Sequence, residues 1–142
     1  MPQTDKIHFA VRRALEKIGW TIIKEPLNLE VDDFRVFIDL SAESTLGNII
    51  IAEQDIQQIA VEIKSFAGRS FINEFQKGFG QYLMYLTMLR VMGYPHTLFL
   101  AVPDETYDTY FSRPLIELLT GEYGVKLVVV SVEREEIVKW IN

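Results

Sequence analysis

The 142-residue sequence contains no cysteine and only two histidines, His8 and His96, which lie far apart in the chain. The chain therefore cannot form disulfides, thiolate zinc sites or iron–sulfur clusters, and a histidine-rich metal site is not expected. No apolar run approaches the roughly 18 residues that a membrane span needs, and the charged start of the chain does not resemble a signal peptide. These absences predict a cytoplasmic protein that neither spans nor binds a membrane.

The composition is that of one globular domain covering residues 1–142. Hydrophobic residues make up 49% of the chain, and 20 acidic residues outnumber 14 basic ones, for a net charge of −6. A chain of this length can bury a substantial core. The negative charge argues against indiscriminate coating of nucleic acid. Only residues 62–90 have a positive balance, with four basic residues against two acidic ones.

The spacing of apolar residues predicts helices and strands in an order typical of the α/β class. Helices are predicted over residues 5–18, 70–92, 105–111, 114–120 and 133–141. Strands are predicted over residues 20–27, 34–40, 49–53, 58–66, 97–102 and 126–132, with turns near 30–33 and at 47–48. Short turns favour antiparallel pairing of the early strands, and helical connections favour parallel pairing of the later ones. We therefore expect a mixed β-sheet flanked by helices on both faces.

Carboxylates are the strongest candidates for chemistry, because the sequence has no nucleophile elbow, phosphate-binding loop or zinc-protease motif. Glu62 and Lys64 are two residues apart on one predicted strand and therefore point to the same face. Asp39 lies near the end of an earlier strand, and paired strands are only about 5 Å apart. Asp39 and Glu62 can then share one Mg²⁺, which prefers hard oxygen ligands and retains water. A nearby Lys64 would orient a water or stabilise developing charge on phosphorus.

An acidic residue and a lysine at this spacing more often form a solvated strand face. A catalytic interpretation of Glu62 and Lys64 therefore depends on two further features. Helices are expected to cover both faces of the sheet, so charges there require a reason. The following helix also carries Glu74, Gly78, Gln81 and Tyr85 on a single stripe. Gly78 and Gly80 suggest close approach to a neighbour, although tight packing of the helix on the sheet also explains them.

The same residues resemble a known nuclease signature. Asp39, Glu62, Lys64, Gln81 and Tyr85 are similar in order and spacing to the D…E-x-K…Q-x-x-x-Y pattern of restriction-endonuclease-like nucleases, the PD-(D/E)XK superfamily. Ile38 stands where the nominal motif has proline, a common departure in that superfamily. The resemblance implies a restriction-endonuclease-like fold and an endonuclease that hydrolyses phosphodiester bonds.

A closer resemblance covers nearly the whole chain and points to the XisH family of fdxN element excision controlling factors. It is carried by residues 8–20 (HFAVRRALEKIGW), 38–43 (IDLSAE), 60–66 (AVEIKSF), 80–85 (GQYLMY), 100–103 (LAVP) and 136–141 (EIVKWI). The family resemblance implies a role in controlling excision of a DNA element by a site-specific recombinase. It also implies a small companion protein, XisI, and DNA as partners.

The resemblance assigns roles to the candidate residues. Asp39 and Glu62 would hold Mg²⁺ or Mn²⁺ with help from the Ile63 carbonyl, and Lys64 would position the attacking water. Gln81 and Tyr85 would support Lys64 or contact DNA. The alternative is a catalytically silent protein that keeps the nuclease fold to bind DNA or XisI.

Three further polar residues have a functional and a structural interpretation. Glu43 is either a further metal carboxylate or, more often in such a position, a surface carboxylate. Glu16 is either an accessory acid or a solvated charge, and its position away from the apolar stripe favours the latter. His8 is best interpreted as a half-buried structural residue.

Aromatic residues late in the chain suggest an assembly surface. Tyr107, Tyr110 and Phe111 share one face of a short predicted helix, and aromatic-rich patches are typical of interface cores. We therefore expect a homodimer, or a complex with XisI, that uses this region. Packing of the three rings into the protein core is an equally good explanation. Trp20 and Trp140 are expected to be packing residues.

Overall fold

A computed structural model of the protein describes residues 3–44 and 56–142, which form four α-helices and eight strands. The helices are α1 (Gln3–Lys17), α2 (Phe71–Val91), α3 (Asp104–Thr106) and α4 (Pro114–Glu122); α3 continues as a π-helical turn over Tyr107–Phe111. The strands are β1 (Thr21–Lys24), β2 (Leu27–Val31), β3 (Phe34–Ile38), β4 (Leu40–Ser44), β5 (Gln57–Ile63), β6 (Thr97–Pro103), β7 (Leu127–Ser131) and β8 (Glu136–Ile141).

Six of these strands form the main sheet in the order β1-β4-β5-β6-β7-β8, and β2 and β3 form a separate hairpin. The first strands, β1, β4 and β5, pair antiparallel, whereas β5, β6 and β7 pair parallel through helical connections. The edge strand β8 returns antiparallel to β7. The predicted mixed sheet of an α/β protein is thus confirmed.

The main sheet separates two hydrophobic cores, and the strands at its centre supply both. From β6, Leu98, Leu100 and Val102 face the core that contains α2, and Phe99 and Ala101 face the core that contains α1. This alternation explains why β6 reads as an almost continuous apolar run, as expected of a strand covered on both faces. Helices therefore flank both faces of the sheet.

Helix α2 is held by polar contacts at its first turn and near its middle. The Ser70 hydroxyl accepts a hydrogen bond from Asn73 N at 3.3 Å and caps the first turn. From inside the helix, the Tyr82 hydroxyl donates to the Leu98 carbonyl at 2.9 Å and accepts from Lys126 N at 3.0 Å. Tyr82 thus ties α2 to the start of β6 and to the residue that precedes β7, and so fixes the height of the helix on the sheet.

The predicted terminal helix over 133–141 is wrong, because this segment forms β8. Residues 136–141 pair with all five residues of β7. Trp140 packs against Phe99 and Trp20, with ring centroids 4.9 and 6.1 Å apart. The short sequence fits either periodicity, and pairing with the exposed edge of β7 satisfies backbone groups that a terminal helix would leave unpaired. The packing roles expected for Trp20 and Trp140 are confirmed.

The segment before the site reverses once, at the predicted turn, but each of the two predicted strands is interrupted. The strand predicted over 20–27 ends at Lys24 as β1, and a second strand, β2, begins at Leu27 and includes Glu30 before it ends at Val31. Asp32 and Asp33 both have positive φ, 53° and 68°, which makes them the two-residue turn of the β2–β3 hairpin. The strand predicted over 34–40 divides at Asp39 into β3 and β4. The predicted turn at 47–48 and strand over 49–53 lie outside the described residues.

Among the described residues, no helix combines the length and the apolar character needed to cross a membrane.

Candidate active site

Asp39 and Glu62 come together because two distant segments pair. Asp39 occupies the bend between β3 and β4, where the chain leaves the hairpin and enters the main sheet. Strand β4 pairs with β5 in a register that places Leu40 opposite Val61. One residue further along, this register sets Asp39 beside Glu62. The predicted carboxylate pair requires that the two segments lie side by side, and the pairing of β4 with β5 meets this condition.

The two residues are joined by hydrogen bonds that each makes to the other's segment. Asp39 N donates to Oε1 of Glu62 at 3.2 Å, and Ile63 N donates to Oδ2 of Asp39 at 2.7 Å. Each carboxylate thus satisfies a backbone donor of the partner strand at the point where regular ladder pairing ends. These two hydrogen bonds orient both carboxylates.

Lys64 lies on the same face of β5 as Glu62. Ala60 contributes to the core on the α2 face, whereas Ile59 and Val61 contribute to the core on the α1 face, so the predicted alternation is confirmed. Lys64 Nζ lies 3.6 Å from Oε2 of Glu62. Its backbone N donates to the Ala101 carbonyl at 3.0 Å, which extends the parallel pairing with β6 beyond the end of β5.

Burial makes Glu62 an unusual carboxyl group. Its side chain is only 10% exposed. Desolvation, together with the nearby charge of Asp39, raises the pKa of Glu62 to about 7, against the opposing influence of Lys64. Burial and the Asp39 charge thus outweigh the influence of Lys64, and near pH 7 Glu62 occurs in both its protonated and its ionised form.

Helix α2 brings Tyr85, Gln81 and Gly78 towards this end of β5. Tyr85 is buried, and desolvation together with the charges of Glu62 and Asp39 raises its pKa to about 12, so its hydroxyl stays protonated. A Cβ on Gly78 would lie 3.3 Å from the Phe66 ring and 4.0 Å from Cγ of Lys64. The close approach predicted for Gly78 is confirmed, and the close neighbour is the Phe66 ring, with the stem of Lys64 next to it.

Gln81 has an unsatisfied acceptor. Its Oε1 atom is buried and has no hydrogen-bond partner within the described part of the chain. Gln81 lies between Gly78 and Tyr85 on the same stripe of α2, which places it on the side of the helix that faces the lysine. A buried carbonyl oxygen without a partner costs about 1–3 kcal/mol.

Glu74 and Gly80 of α2 were expected near the site, but among the described residues the structure gives neither a contact there. Glu74 instead accepts a hydrogen bond from Gly68 N at 3.2 Å and closes the loop before α2. A Cβ on Gly80 would meet nothing within 4 Å, so the close approach expected there is absent.

Phe66 is a positioning residue that the sequence pattern does not reveal. It has a positive φ of 53°, rare for an aromatic residue, and follows Lys64 by two positions. Its ring is buried among Phe71, Phe75 and Phe111, with centroids 5.5 to 6.5 Å away. This packing holds the backbone in the left-handed conformation and fixes the direction in which the chain leaves Lys64. Periodicity suggested only that Phe66 continues the strand.

The other polar candidates lie in separate places. Glu43 is on β4 opposite Gln58, towards the far end of β5, and accepts a 3.4 Å hydrogen bond from its side chain. Glu16 is exposed and pairs with Arg12 at 3.6 Å, as expected of a solvated charge. His8 is half-buried and contacts Oε2 of Glu25 at 2.6 Å, in agreement with a structural role.

The late aromatic residues pack within the chain. Phe111 is buried in the core, the Tyr110 ring stacks on Phe71 with centroids 4.1 Å apart, and Tyr107 lies under Lys139 Nζ at 4.1 Å. Core packing, the alternative explanation, therefore accounts for all three rings. A homodimer or a complex with XisI stays a prediction, but these aromatics no longer indicate its surface.

The donor set at Asp39 and Glu62 is suitable for Mg²⁺ or Mn²⁺. No group of three or more His, Cys, Asp or Glu side chains that could hold a metal occurs within residues 3–44 and 56–142. Two carboxylates with an adjacent backbone carbonyl at Ile63 nevertheless match a cation that binds few protein ligands and retains its water. The raised pKa of Glu62 points the same way, because burial and the neighbouring Asp39 charge leave its ionised form poorly stabilised by the protein itself.

The fold and the site together define a small mixed α/β protein with a carboxylate pair and a lysine at the end of its central strand. The protein-family model described as XisH protein matches residues 1–138. The chain belongs to the XisH family.

Solved structures agree with this assignment. A crystal structure of an XisH family protein from Nostoc punctiforme PCC 73102 is 36% identical in sequence, with a TM-score of 0.84 over 97% of this chain and 100% of that one. The crystal structure of a fdxN element excision controlling factor protein from Anabaena variabilis is 37% identical, with the same TM-score over 97% of this chain and 99% of that one. Among functionally curated proteins, none matches this chain significantly.

Proposed function

We propose that the protein is a metal-dependent endonuclease of the restriction-endonuclease-like type that acts in the controlled excision of a DNA element. The observation that carries the proposal is the convergence of Asp39, Glu62 and Lys64 at the end of β5, with the two carboxylates hydrogen-bonded across β4 and β5. These are the residues that the nuclease signature requires, and all three are intact.

Each residue has a defined part in phosphodiester hydrolysis. Asp39 and Glu62, with the Ile63 carbonyl, would hold Mg²⁺ or Mn²⁺, which supplies charge stabilisation at the phosphate. The Lys64 ammonium would orient the attacking water by hydrogen bonding, and Gly78 and Phe66 would hold the lysine stem in place. Tyr85 and Gln81 would line the site from α2, with the tyrosine acting only as a neutral hydrogen-bonding group because its pKa is about 12.

The proposed role in excision rests on similarity to another protein of the family. A similar protein is described as a fdxN element excision controlling factor, and it matches nearly the whole length of this chain. Excision requires DNA strands to be cut and rejoined, so an endonuclease site in such a factor has a natural substrate. DNA and the companion XisI are the partners we propose.

A second candidate function is a non-cutting accessory that keeps this fold to bind DNA or XisI. The observation that favours it is electrostatic, because the chain has a net charge of −6 and the lysine already contacts Glu62. A protein with a net negative charge has little intrinsic affinity for phosphate backbones.

A cleavage assay separates the two functions. Supercoiled plasmid and single-stranded DNA are incubated with the protein and Mg²⁺ or Mn²⁺, with and without purified XisI. We expect nicking that chelator abolishes and that both Glu62→Gln and Lys64→Met reduce by at least about 100-fold. Glu16→Gln removes the same charge from an exposed site and should cut like the wild type. The absence of cleavage under every condition would support the accessory function instead, and cleavage that persists in both site variants would show that Glu62 and Lys64 are not the catalytic residues.

A further inference from the structure

A large groove runs along the edge of the main sheet where its three parallel strands end. It encloses about 1030 Å³ and is lined by residues 65–67 after β5, 103–106 after β6, 131–135 after β7, and the first turns of α1. Ligands of open α/β sheets bind at this carboxyl edge. The groove adjoins Lys64 through residue 65 but contains none of the candidate catalytic side chains.

The walls of the groove are predominantly acidic. Four carboxylates line it, namely Asp104, Glu105, Glu133 and Glu135, against two basic residues, Lys6 and Arg134. Arg134 is already paired with Glu136, 3.7 Å away and outside the groove. A phosphate backbone entering here would meet net negative charge, so the groove is not built for nucleic acid.

Apolar side chains accompany the acidic ones. Phe9 lines the groove from α1 and is 46% exposed, and the partly buried Val132 lines it as well, whereas Ile7 and Phe66 are only 4% and 6% exposed and form its floor. Apolar side chains do not coordinate divalent cations, so their presence does not indicate a metal site. A surface with acidic walls and exposed apolar area instead complements a chain that carries both basic and apolar side chains.

Hydrogen bonds hold the groove in shape. The Thr106 hydroxyl donates to the Ser65 carbonyl at 3.0 Å and joins the segments that follow β6 and β5. On the other wall, Arg134 N donates to the Ser131 hydroxyl at 3.1 Å, and Lys17 Nζ donates to the Arg134 carbonyl at 3.0 Å. A groove that is already ordered loses little entropy when it binds a partner.

We propose that this groove docks a segment of a partner polypeptide rich in lysine or arginine and interrupted by apolar residues. The acidic walls pair with the basic side chains, and Phe9 with its neighbours receives the apolar ones. Such a partner would also add positive charge next to the candidate active site, beyond that of Lys64. The proposal does not depend on whether the protein cuts DNA.

The proposal is tested with a defined probe, a fluorescein-labelled peptide of alternating lysine and leucine, whose binding is followed by fluorescence anisotropy near 0.15 M salt. The groove variant is Glu105→Gln with Glu133→Gln, two exposed carboxylates. The control is Glu117→Gln with Glu122→Gln, which makes the same charge change on α4. We expect the groove variant to bind about five-fold more weakly and the control to bind within about two-fold of wild type.

A second pair of variants tests the apolar part. Phe9→Ser should weaken peptide binding, whereas Ile18→Ser, at the exposed end of the same helical region, should not. Equal losses in the groove and control variants would overturn the proposal, as would an oligolysine that binds as tightly as the lysine–leucine peptide. Groove substitutions that alter binding of labelled DNA but not of the peptide would overturn it too, because nucleic acid would then be the occupant. Thermal unfolding of all four variants confirms that each is folded.

Discussion

Asp39 and Glu62 are 23 residues apart in the chain and are held side by side by reciprocal hydrogen bonds. The backbone of Asp39 donates to the Glu62 carboxylate, and the Asp39 carboxylate accepts from the residue that follows Glu62. Both residues therefore help to define the end of the β4–β5 ladder as well as the candidate active site. Substitutions here will have structural and functional effects that separate only when stability and ligand binding are measured together.

The pKa of Glu62 predicts a pH-dependent stability. Because burial raises its pKa in the fold to about 7 from an ordinary value of 4.5, the fold prefers the protonated form. This contribution is fully present below about pH 4.5 and is lost as the pH rises through 7, by up to about 3 kcal/mol. With chelator present, Glu62→Gln should therefore be more stable than wild type at pH 8, and the difference should vanish near pH 4.5.

Denaturant unfolding at a series of pH values measures this difference. Glu16→Gln, at an exposed carboxylate, is the matched control and should change stability little at any pH. A Glu62→Gln protein that is less stable than wild type at pH 8 would show that the ionised carboxylate is well compensated in the fold.

Divalent ions should bind to the same pair. Calorimetric titration with Mn²⁺ or Mg²⁺ should show affinity that rises between about pH 6 and 8, because the cation must displace the proton of Glu62. Asp39→Asn and Glu62→Gln should each reduce the affinity at least about ten-fold. Glu43→Gln changes an acid towards the opposite end of β5 and serves as the control. Equal binding by all four proteins would remove the metal site from Asp39 and Glu62.

The two glycines of α2 should respond oppositely to alanine. Gly80→Ala meets open space and should stabilise the protein by about 0.5–1 kcal/mol, the usual gain in a helix interior. Gly78→Ala places a methyl group 3.3 Å from the Phe66 ring, which its aromatic neighbours hold in place. We expect the steric contact to outweigh the gain in helix propensity, so that Gly78→Ala destabilises the protein by about 1 kcal/mol or more.

Thermal melts of both glycine variants test this contrast. If Gly78→Ala is as stable as Gly80→Ala, the Phe66 ring moves freely and does not position Lys64.

DNA binding should depend weakly on salt. The positive balance of residues 62–90 rests on four basic residues, Lys64, Arg69, Lys77 and Arg90, so one copy of the protein neutralises few phosphates. Binding measured between 50 and 200 mM salt should give a log–log slope of about −2 to −4. A slope near about −8 would place the footprint elsewhere or require several copies on the DNA.

Local patterns in the sequence are enough to predict part of this structure. Alternation along β5 places Glu62 and Lys64 on one face, because successive side chains of a strand point in opposite directions. The capping Ser70 and Gly93 set the limits of α2, and apolar runs mark β6 and β7 as central strands. Such features depend only on residues a few positions apart. They sufficed to name Asp39, Glu62 and Lys64 as candidates.

Tertiary structure decided which distant segments meet and what that contact does to them. Residues 136–141 fit a helix or a strand, and the free edge of β7 made them a strand. Pairing of β4 with β5 brought Asp39 to Glu62, and burial between the sheet and α2 raised the pKa of Glu62. The left-handed backbone of Phe66 depends on aromatic neighbours up to 45 residues away. A sequence pattern shows which face a side chain occupies, whereas its partners, its desolvation and its charge state follow from long-range packing.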